Sequence, residues 1–435
     1  MKVGIVGGGL AGLAAGAALA DAGHAVEVFE RSRLLGGRAT SFEIDGVEVD
    51  NGQHVFLSCC DAFQDFVQRS GLGGSLHVQN RFEAVVIENG KASVLRAGRL
   101  PAPWHLVASF ARFGHLSIPA KICVARALLA ASRNGGGTRT FADWLARQRQ
   151  SDEAIRVFWR PFFVPALNLP LDQMDAREAL FTLRTAFLRD ASAARFGYST
   201  VPLAHVAEAA AARFSCVHRA TSIASIELDG ASARALVTTS GERHAFDAFV
   251  VALTPTQLLR LLGDGSRFGV SSLEQYEPHP IIDVHVRFSA RDALDTFDFG
   301  AVVDSPIQWI FKKGDGYLVC SMSAAEEFMR RSTDDLIAFA WAELQRALPA
   351  LQSAALARGA VTRNPEATFS TSPGTARPGP GTAIENLVIA GSWTGTGWPD
   401  TMESAVRSGR AAARHILERC RAARSVRGHS LEGAT

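Results

Sequence analysis

The hydrophobic positions at the two ends of the chain form short, unbroken runs that each stop at a glycine. Near the start, residues 3–6 run into the sequence GGGLAG, a helical pattern spans about 10–22, and a second apolar run covers 24–30. Near the end, an apolar run at 386–391 closes on glycine and precedes a helical pattern over 401–421. Unbroken apolar runs of this length are typical of strands buried in a parallel sheet. The first segment therefore predicts a βαβ unit, and the last segment predicts a strand and helix beside it.

The pattern between these ends changes several times. Strand-like stretches lie at 40–56, 215–228, 233–252, 280–288, 307–312 and 317–323. Helical patterns lie at 61–71, 104–132 with a break at Pro119, 138–150, 151–165 with an end near Pro161 or Pro165, and 333–348. A stretch rich in Pro and Gly, residues 372–382, leads back to the last strand. This order predicts an α/β fold in which one domain opens the chain, returns in its middle and closes it.

Composition limits the classes of function. A chain of 435 residues with 47% hydrophobic and 20% charged residues is expected to form two globular domains. The net charge of +2 gives no reason to expect nucleic-acid binding. The six cysteines show no metal-ligand spacing, which indicates free thiols in a reducing compartment and no metal. Glycines interrupt the uncharged stretch at 3–20, so we expect a cytoplasmic protein without a signal peptide or a membrane-spanning helix.

The glycines at the start of the chain have the spacing of a dinucleotide pocket. Gly7, Gly9 and Gly12 follow a strand and open a helix, where they permit a tight turn, close approach to a pyrophosphate and packing of helix on strand. The helix N-terminus adds free N–H groups for the anion. Glu30 lies at the end of the second strand, where a carboxylate can accept from ribose hydroxyls. The alternative, a strand-turn-helix without a ligand, does not account for all these features together.

A second glycine pair follows this unit. Gly36 and Gly37 allow the loop to pass close to a bulky group, and Arg38 can neutralise a phosphate or lie beside a ring. On its own the segment is also typical of a surface turn with a solvated arginine. Its position eight residues after Glu30 favours a part in the pocket.

These segments carry a family resemblance. The sequence GGGLAGLAAGAALADAGHAVEVFERSRLLGGRA resembles the N-terminus of the flavin-containing amine oxidase and phytoene desaturase superfamily, and LVIAGSWTGTGWPDTMESAVRSG resembles its second flavin signature. Within that superfamily, VDNGQHVF and the TGWP run are most similar to the squalene-associated FAD-dependent desaturases, the hydroxysqualene dehydroxylases of bacterial squalene and hopanoid biosynthesis. The resemblance extends over the whole chain.

The resemblance implies a Rossmann-like FAD-binding domain, discontinuous in sequence, with an inserted α+β substrate-binding domain. The FAD-binding domain is predicted over 1–80, 200–260 and 375–422. The substrate-binding domain is predicted over 81–199 and 261–374, with a helical, membrane-facing part at 100–165.

The resemblance also implies non-covalent FAD and a set of contacts. Gly7, Gly9, Gly12 and Glu30 would hold the ADP half, with Gly37 and Arg38 near the pyrophosphate. The remaining expected contacts are Asn51, Gly52 and Gln53 beside the isoalloxazine ring, Gly391 and Ser392 near the pyrophosphate and ribityl chain, and Thr401 and Met402 at the start of the last helix, which faces the flavin. Ser392 stands where the superfamily usually has Asp or Glu, which predicts weaker FAD affinity.

The reaction implied by the resemblance is the reductive removal of a hydroxyl group from hydroxysqualene, a C30 isoprenoid allylic alcohol, to give squalene. Hydride would come from reduced flavin, and a protein group would protonate the leaving hydroxyl. His54 and Glu403 are the candidates for this proton donor, although His54 is equally typical of a half-buried structural histidine.

Four aromatic residues are candidates for the substrate cavity. Trp393 and Trp398 lie in the flavin-facing loop, where lining the cavity is favoured over loop packing. Phe162 and Phe163 are further candidates, but an aromatic stripe at that spacing is typical of an ordinary core.

A substrate of this kind resides in a bilayer, which predicts contact with the membrane. Residues 100–132 combine apolar bulk with Arg112, Lys121 and Arg126 and favour peripheral attachment to the inner face of the cell membrane over a buried helical hairpin. Contact with upstream enzymes of the squalene pathway is a further expectation.

Two rival classes remain. One is another enzyme of the superfamily, a carotenoid-type desaturase or an amine or protoporphyrinogen oxidase. The first fits poorly because such a desaturase lacks the NGQH run. An amine oxidase would need a lysine near the flavin, and none lies in a flavin-proximal motif. The other is a flavin-binding scaffold without turnover in a lipid-synthesis complex, because every motif found so far is a binding motif.

Overall fold

A computed structural model describes residues 1–44, 46–132, 137, 139–263, 265–270, 273–289 and 298–432, with side chains described to residue 421 apart from residue 47. The strands of the described part are β1 (Lys2–Val6), β2 (Ala25–Phe29), β3 (Ser41–Ile44), β4 (Val47–Asp50), β5 (Val55–Leu57), β6 (Leu76–Val78), β7 (Glu83–Glu88), β8 (Lys91–Arg96), β9 (Phe196–Ser199), β10 (Cys216–His218), β11 (Ile223–Asp229), β12 (Ser232–Thr238), β13 (Arg243–Ala245), β14 (Ala248–Val251), β15 (Glu277–Phe288), β16 (Phe299–Val302), β17 (Trp309–Gly314), β18 (Tyr317–Ser323), β19 (Leu356–Ser370) and β20 (Leu387–Ile389).

The α-helices of the same residues are α1 (Leu10–Asp21), α2 (Asp61–Val67), α3 (Val107–Arg112), α4 (Ile118–Ala131), α5 (Phe141–Arg147), α6 (Asp152–Ala154), α7 (Arg160–Leu167), α8 (Ala176–Leu183), α9 (Leu203–Ala211), α10 (Pro255–Leu262), α11 (Thr333–Ala347) and α12 (Met402–Glu432). Single wider turns of π-helix extend three of them, at Gln68–Leu72, Ile155–Trp159 and Arg184–Leu188. None of these helices, over the residues described, combines the length and the apolar character needed to cross a bilayer.

The first sheet joins the beginning, the middle and the end of the chain. Its five strands are all parallel and lie in the order β10-β2-β1-β14-β20. The three central and C-terminal strands β1, β14 and β20 are short apolar runs with almost fully buried side chains, as expected for a parallel sheet covered on both faces. The predicted α/β class with a parallel-sheet core is therefore confirmed, while the predicted domain boundaries remain a prediction.

Two helices from opposite ends of the chain pack together beside this sheet. Helix α1 is rich in alanine and buries most of its residues, and α12 lies against it. A Cβ atom at Gly409 of α12 would lie 2.1 Å from the carbonyl oxygen of Ala11. The absence of a side chain at Gly409 is therefore what lets the two helices approach so closely.

The second large sheet has seven strands in the order β19-β15-β18-β17-β16-β7-β8. All neighbours are antiparallel except β16 and β7. Alternate residues of β15 face opposite ways: Ile282 and Val284 join a core that includes residues of α11, whereas Ile281 and Asp283 line a cavity on the other face. This sheet thus provides one wall of the site.

Helices between residues 107 and 188 cover the cavity face of this sheet. The two helices predicted on either side of Pro119 are present as α3 and α4, and Pro119 lies in the first turn of α4, where its missing N–H is tolerated. Helix α7 continues through Pro165 to Leu167, past the predicted end. Pro165 cannot donate to the carbonyl of Pro161, and that oxygen instead accepts from the Trp309 indole N–H at 3.0 Å.

Candidate functional site

A large cavity lies between the glycine turn after β1 and the seven-stranded sheet. Its volume is about 1160 Å³, above the ~300–1,000 Å³ typical of a site for one drug-sized ligand. Residues of both sheets line it, so one end is formed by the turn of the βαβ unit and the other by the face of β15, β17 and β18. The cavity thus has room for a dinucleotide and a second ligand.

The three glycines of the first motif have different roles in the structure. Gly7 adopts a φ of +103°, and a Cβ there would lie 2.4 Å from the Ala252 carbonyl oxygen. A Cβ at Gly12 would lie 2.0 Å from the Gly7 carbonyl oxygen. These two glycines shape the turn, and Gly12 is not itself on the cavity wall. Gly9 lines the cavity, and its nearest neighbour would be 3.8 Å from a Cβ, which leaves the backbone open to a ligand.

The N-terminus of α1 and Glu30 complete this end of the cavity. Gly9 is the cap residue of α1 and offers no side-chain acceptor, so the first N–H groups of the helix are available to an anion. Glu30 is 8% exposed and accepts hydrogen bonds from the backbone N–H groups of Gly8 at 2.7 Å and Ser32 at 2.8 Å. These bonds fix the carboxylate on the cavity wall, where its remaining lone pairs can accept from sugar hydroxyls.

Arg38 joins the N-terminal and C-terminal motifs. It donates to the Ser392 hydroxyl at 2.6 Å and to the Ala367 carbonyl at 2.9 Å, and it pairs with Asp400 at 3.3 Å. Gly37, Gly391 and Thr401 are also on the cavity wall, as is Met402 at the start of α12. The structure therefore brings together the two segments that carry the family resemblance, and it supplies an acid beside Arg38 at Asp400, eight residues after Ser392.

The turn at 51–53 and His54 lie on the same wall. Asn51, Gly52, Gln53 and His54 all line the cavity. The His54 Nδ1 atom is buried, and no described residue is its hydrogen-bond partner. Burial lowers the pKa of His54, partly opposed by the charge of Asp50, so the imidazole is neutral at neutral pH.

Glu403, the second predicted proton donor, is held by three contacts. It is 1% exposed and accepts from the backbone N–H groups of Ala62 at 3.1 Å and Phe63 at 2.7 Å, at the start of α2. Arg407, one turn further along α12, donates to it at 2.6 Å. All three partners are N–H donors, so both oxygens of this carboxylate are already occupied as acceptors. These contacts tie α2 to α12 and indicate a structural role for Glu403 rather than that of the predicted proton donor.

The predicted aromatic residues divide into two groups. Phe162, Phe163 and Trp398 line the cavity. Trp393 does not: it is fully buried in the core beside Tyr276, and its indole N–H donates to the Leu253 carbonyl at 2.9 Å. The prediction that Trp393 lines the cavity is therefore wrong, because its polar N–H finds its partner inside the protein.

Residues of the seven-stranded sheet that the sequence interpretation missed form the opposite wall. They are Asp283, Trp309 and Phe311, with Ser321 and Thr362 beside them. Asp283 is 1% exposed, and burial raises its pKa from the ordinary 3.8 to about 6. An isolated acid in the apolar run IIDVHV is a usable sequence signal, since acids are seldom fully buried without a partner.

These residues fit FAD. The glycine turn leaves backbone open on the cavity wall, the start of α1 offers N–H groups to a diphosphate, and Glu30 lies where a ribose would follow. Two buried polar atoms on the wall, His54 Nδ1 and Asp283 Oδ1, have no partner within the described residues.

Comparison with known proteins agrees with this geometry. The family model for flavin containing amine oxidoreductases matches residues 10–417. The chain is 25% identical to a hydroxysqualene dehydroxylase of Zymomonas mobilis, over 94% of this chain and 97% of that protein. It is 27% identical to a hydroxysqualene dehydroxylase of Rhodopseudomonas palustris, over 96% of this chain and 99% of that protein. It is also 24% identical to a zeta-carotene desaturase of Synechocystis sp., over 96% of this chain and 97% of that protein. The predicted resemblance is therefore confirmed.

Solved structures share the fold. A putative protoporphyrinogen oxidase from Exiguobacterium sp. superimposes with a TM-score of 0.72 at 17% identity, over 96% of this chain and 99% of that chain. A putrescine oxidase bound to putrescine superimposes with a TM-score of 0.72 at 18% identity, over the same shares.

Proposed function

Because the chain belongs to the family of flavin containing amine oxidoreductases, it is an FAD-dependent oxidoreductase, and we propose that it reduces hydroxysqualene to squalene. The predicted cofactor, FAD, is confirmed by the family. Full-length similarity to two hydroxysqualene dehydroxylases supports the proposed substrate. The zeta-carotene desaturase matches at nearly the same identity, and its substrate is also a long isoprenoid.

The observation that carries the proposal is the contrast between the two ends of the cavity. Polar backbone and Glu30 surround one end, whereas the other is lined by rings and aliphatic groups, including Phe162, Phe163, Phe187, Phe196, Trp309 and Phe311. Such a wall binds a hydrocarbon chain by removing its surface from water. Ring faces also stabilise positive charge that develops at an allylic carbon.

When bound, reduced FAD supplies a hydride, so that alcohol and reduced flavin give squalene, water and oxidised flavin. The residues of this chain have three tasks. The apolar wall aligns the substrate and keeps bulk water out, the glycine turn and Arg38 hold the diphosphate end, and one acid must protonate the leaving hydroxyl. His54 is neutral and therefore a poor acid for this last task, and the oxygens of Glu403 already accept from three N–H groups.

The proposal is tested with a panel of substrates. Purified holoprotein is reduced anaerobically with dithionite, mixed with hydroxysqualene, and followed by flavin absorbance and mass spectrometry. Squalene formed in step with flavin reoxidation supports the proposal. If the alcohol stays intact, oxidised holoprotein is next mixed with zeta-carotene or phytoene, protoporphyrinogen and amines, and flavin reduction by one of these would indicate that rival. Bound flavin that reacts with none of them would indicate a scaffold.

The same proposal includes attachment to the inner face of the cell membrane. Among the side chains that the structure describes, six large apolar ones are at least 49% exposed, and all of them lie between residues 100 and 129: Leu100, Trp104, Val107, Ile118, Ile122 and Leu129. We call these six the apolar patch. Exposed apolar groups concentrated in one segment are a feature of interaction surfaces.

Helix α4 shows this arrangement most clearly. Its buried positions are small, with Ala120, Val124 and Ala127 packed inward, while Ile118 and Ile122 project outward. An ordinary surface helix buries its large apolar residues instead. The exposed Arg112 and Arg126 provide positive charge beside the patch, which suits an anionic lipid surface.

A row of aromatic rings leads from α3, the helix that carries Val107 of the patch, to the cavity. The Phe110 ring of α3 contacts Phe158 at 5.7 Å between centroids, and Phe158 contacts Phe162 on the cavity wall at 5.7 Å. A lipid-soluble substrate could thus pass from a bilayer to the site along apolar groups. Contact with upstream squalene-pathway enzymes stays a prediction.

Vesicle co-sedimentation tests the attachment. Holoprotein should sediment with phosphatidylglycerol vesicles, less with phosphatidylcholine vesicles, and far less with either when Ile118 and Ile122 are both changed to Asp. The control is Ala231→Asp, which adds charge at an exposed position outside the patch. Equal sedimentation of both variants, or none for the wild type, would contradict the attachment.

A further inference from the structure

Asp283 is the buried carboxyl group of the cavity that remains incompletely bonded. Among the other described acids on the wall, Glu366 is only half-buried and so remains open to solvent. Glu30 and Glu403 are tied by backbone N–H groups, and Asp400 is tied by Arg38 and by the Phe369 N–H at 2.8 Å. Asp283 accepts from the Ser321 hydroxyl and the Gln53 N–H, but its buried Oδ1 atom has no partner among the described residues. Since β15 places Asp283 on the cavity wall, this oxygen is the one that a hydroxyl group of a ligand would pair with.

The position of Asp283 links it to the turn expected beside the flavin ring. Gly52 adopts a φ of +107°, and a Cβ there would lie 3.3 Å from Asp283 Oδ2 and 3.7 Å from His54 Cε1. Asp283 and His54 therefore approach the same turn, one from the sheet and one from the loop. Each has a buried polar atom that finds no partner in the described part of the chain. The two groups therefore form a small polar spot beside Gly52 on the cavity wall.

We propose that Asp283 is the catalytic acid that protonates the departing hydroxyl group of the substrate. This inference rests on the proposed function. The proton on the Asp283 carboxyl passes to the hydroxyl oxygen, the carbon–oxygen bond breaks, and water leaves. The electron pair and hydrogen of the hydride from reduced flavin form the new carbon–hydrogen bond, and the carboxylate regains a proton from solvent. His54, as the neutral neighbour, is a positioning residue that can hold the hydroxyl group in place.

The electrostatic surroundings suit an acid that must be protonated before each turnover. Burial raises the pKa of Asp283 to about 6, while the Ser321 and Gln53 hydrogen bonds and the charge of Lys313 on β17 lower it. On the loop side the facing groups are His54, which burial keeps neutral, and Asp50. An apolar substrate in the cavity removes further water and raises this pKa more.

Three variants test the inference: Asp283→Asn, Asp283→Glu, and Glu277→Gln as control. Glu277 is an exposed carboxylate at the start of the same strand. Single-turnover formation of squalene by reduced holoprotein should fall at least ~100-fold in Asp283→Asn, recover in part in Asp283→Glu and stay unchanged in Glu277→Gln. Asp283→Asn that turns over at the wild-type rate would overturn the inference.

A second readout does not depend on turnover. The visible spectrum of oxidised holoprotein is recorded from about pH 5 to pH 8 with each variant. A wild-type spectral shift with a midpoint near pH 6 that is lost in Asp283→Asn is expected if the carboxyl group faces the flavin, and Asp283→Glu should move the midpoint. A spectrum that titrates identically in all variants, or not at all, would overturn the inference. If the wild type makes no squalene but shows this titration, the substrate assignment fails and the location of Asp283 stands. If Asp283→Asn does not retain FAD, Asp283→Glu replaces it in this test: a moved midpoint supports the inference, and an unchanged midpoint overturns it.

Discussion

The burial of Asp283 predicts that replacing it by asparagine stabilises the protein at neutral pH. In the folded protein burial raises its pKa from the ordinary 3.8 to about 6, a difference that corresponds to about 3 kcal/mol. The folded state therefore binds more protons than the unfolded state between these two pKa values. Stability is highest below pH 3.8, declines as the pH rises towards 6, and is constant above that range as far as this group is concerned. Asparagine does not ionise, so the Asp283→Asn variant does not lose this stability as the pH rises.

The size of the effect can be measured by calorimetry of the holoprotein. Between pH 4.5 and pH 7.5 the advantage of Asp283→Asn over the wild type should grow by about 2 kcal/mol, the part of the 3 kcal/mol that falls in this range. For 435 residues an unfolding entropy of ~0.9 kcal/mol/K converts this to about 2 °C in Tm. The control Glu277→Gln should show no such growth, because its carboxylate is exposed.

The contrary result is equally clear. If the Tm difference between Asp283→Asn and the wild type stays constant over this pH range while the FAD content is equal, Asp283 does not titrate as a buried acid. If the Tm of the wild type instead rises relative to that of Asp283→Asn as the pH increases, the fold stabilises the ionised carboxylate of Asp283. Burial would then not be the dominant effect on its pKa.

Two further predictions concern the rest of the site. Gly9→Glu should abolish the yellow colour of the purified protein, because a carboxylate at the open backbone of the turn would crowd and repel the diphosphate. The control Gly74→Ala, at a position where a Cβ atom meets nothing within 4 Å, should stay yellow. A yellow Gly9→Glu protein would refute the assignment of the glycine turn as the diphosphate site. Glu403→Gln should lose about 1–3 kcal/mol of unfolding free energy in denaturant titration, since the amide NH₂ group cannot accept from the buried N–H donors that the carboxylate satisfies. Under conditions in which the Glu403→Gln variant is folded, it should still form squalene. Loss of turnover with unchanged stability would instead indicate that Glu403 is the proton donor.

The sequence was informative where function depends on local geometry. A Cβ atom at Gly7 or Gly12 would clash with the backbone, so the turn requires glycine at both positions. The spacing of these glycines could therefore be recognised from the sequence alone. The C-terminal strand and helix were predictable for the same reason, since their glycine turn and apolar periodicity are local. The parallel sheet that joins them could be inferred only because the runs are continuously apolar.

The aromatic wall and the acid were hidden because they depend on pairing between distant segments. Asp283 lies opposite Ser321 and Thr362, and only this register shows which face of β15 meets the cavity. The different positions of Trp393 and Trp398 could not be predicted either, because they depend on contacts with distant segments. They lie in one loop, yet one is fixed in the core by the Leu253 carbonyl and the other reaches the cavity.

The central claim is most directly tested by tracing the hydride. Holoprotein reduced anaerobically in D₂O is mixed with unlabelled hydroxysqualene, and the product is analysed by mass spectrometry. Transfer from reduced flavin predicts squalene that carries one deuterium at the carbon that held the hydroxyl group, formed in equal amount to reoxidised flavin. Reduced flavin beside unchanged alcohol, or squalene without deuterium, would contradict the account.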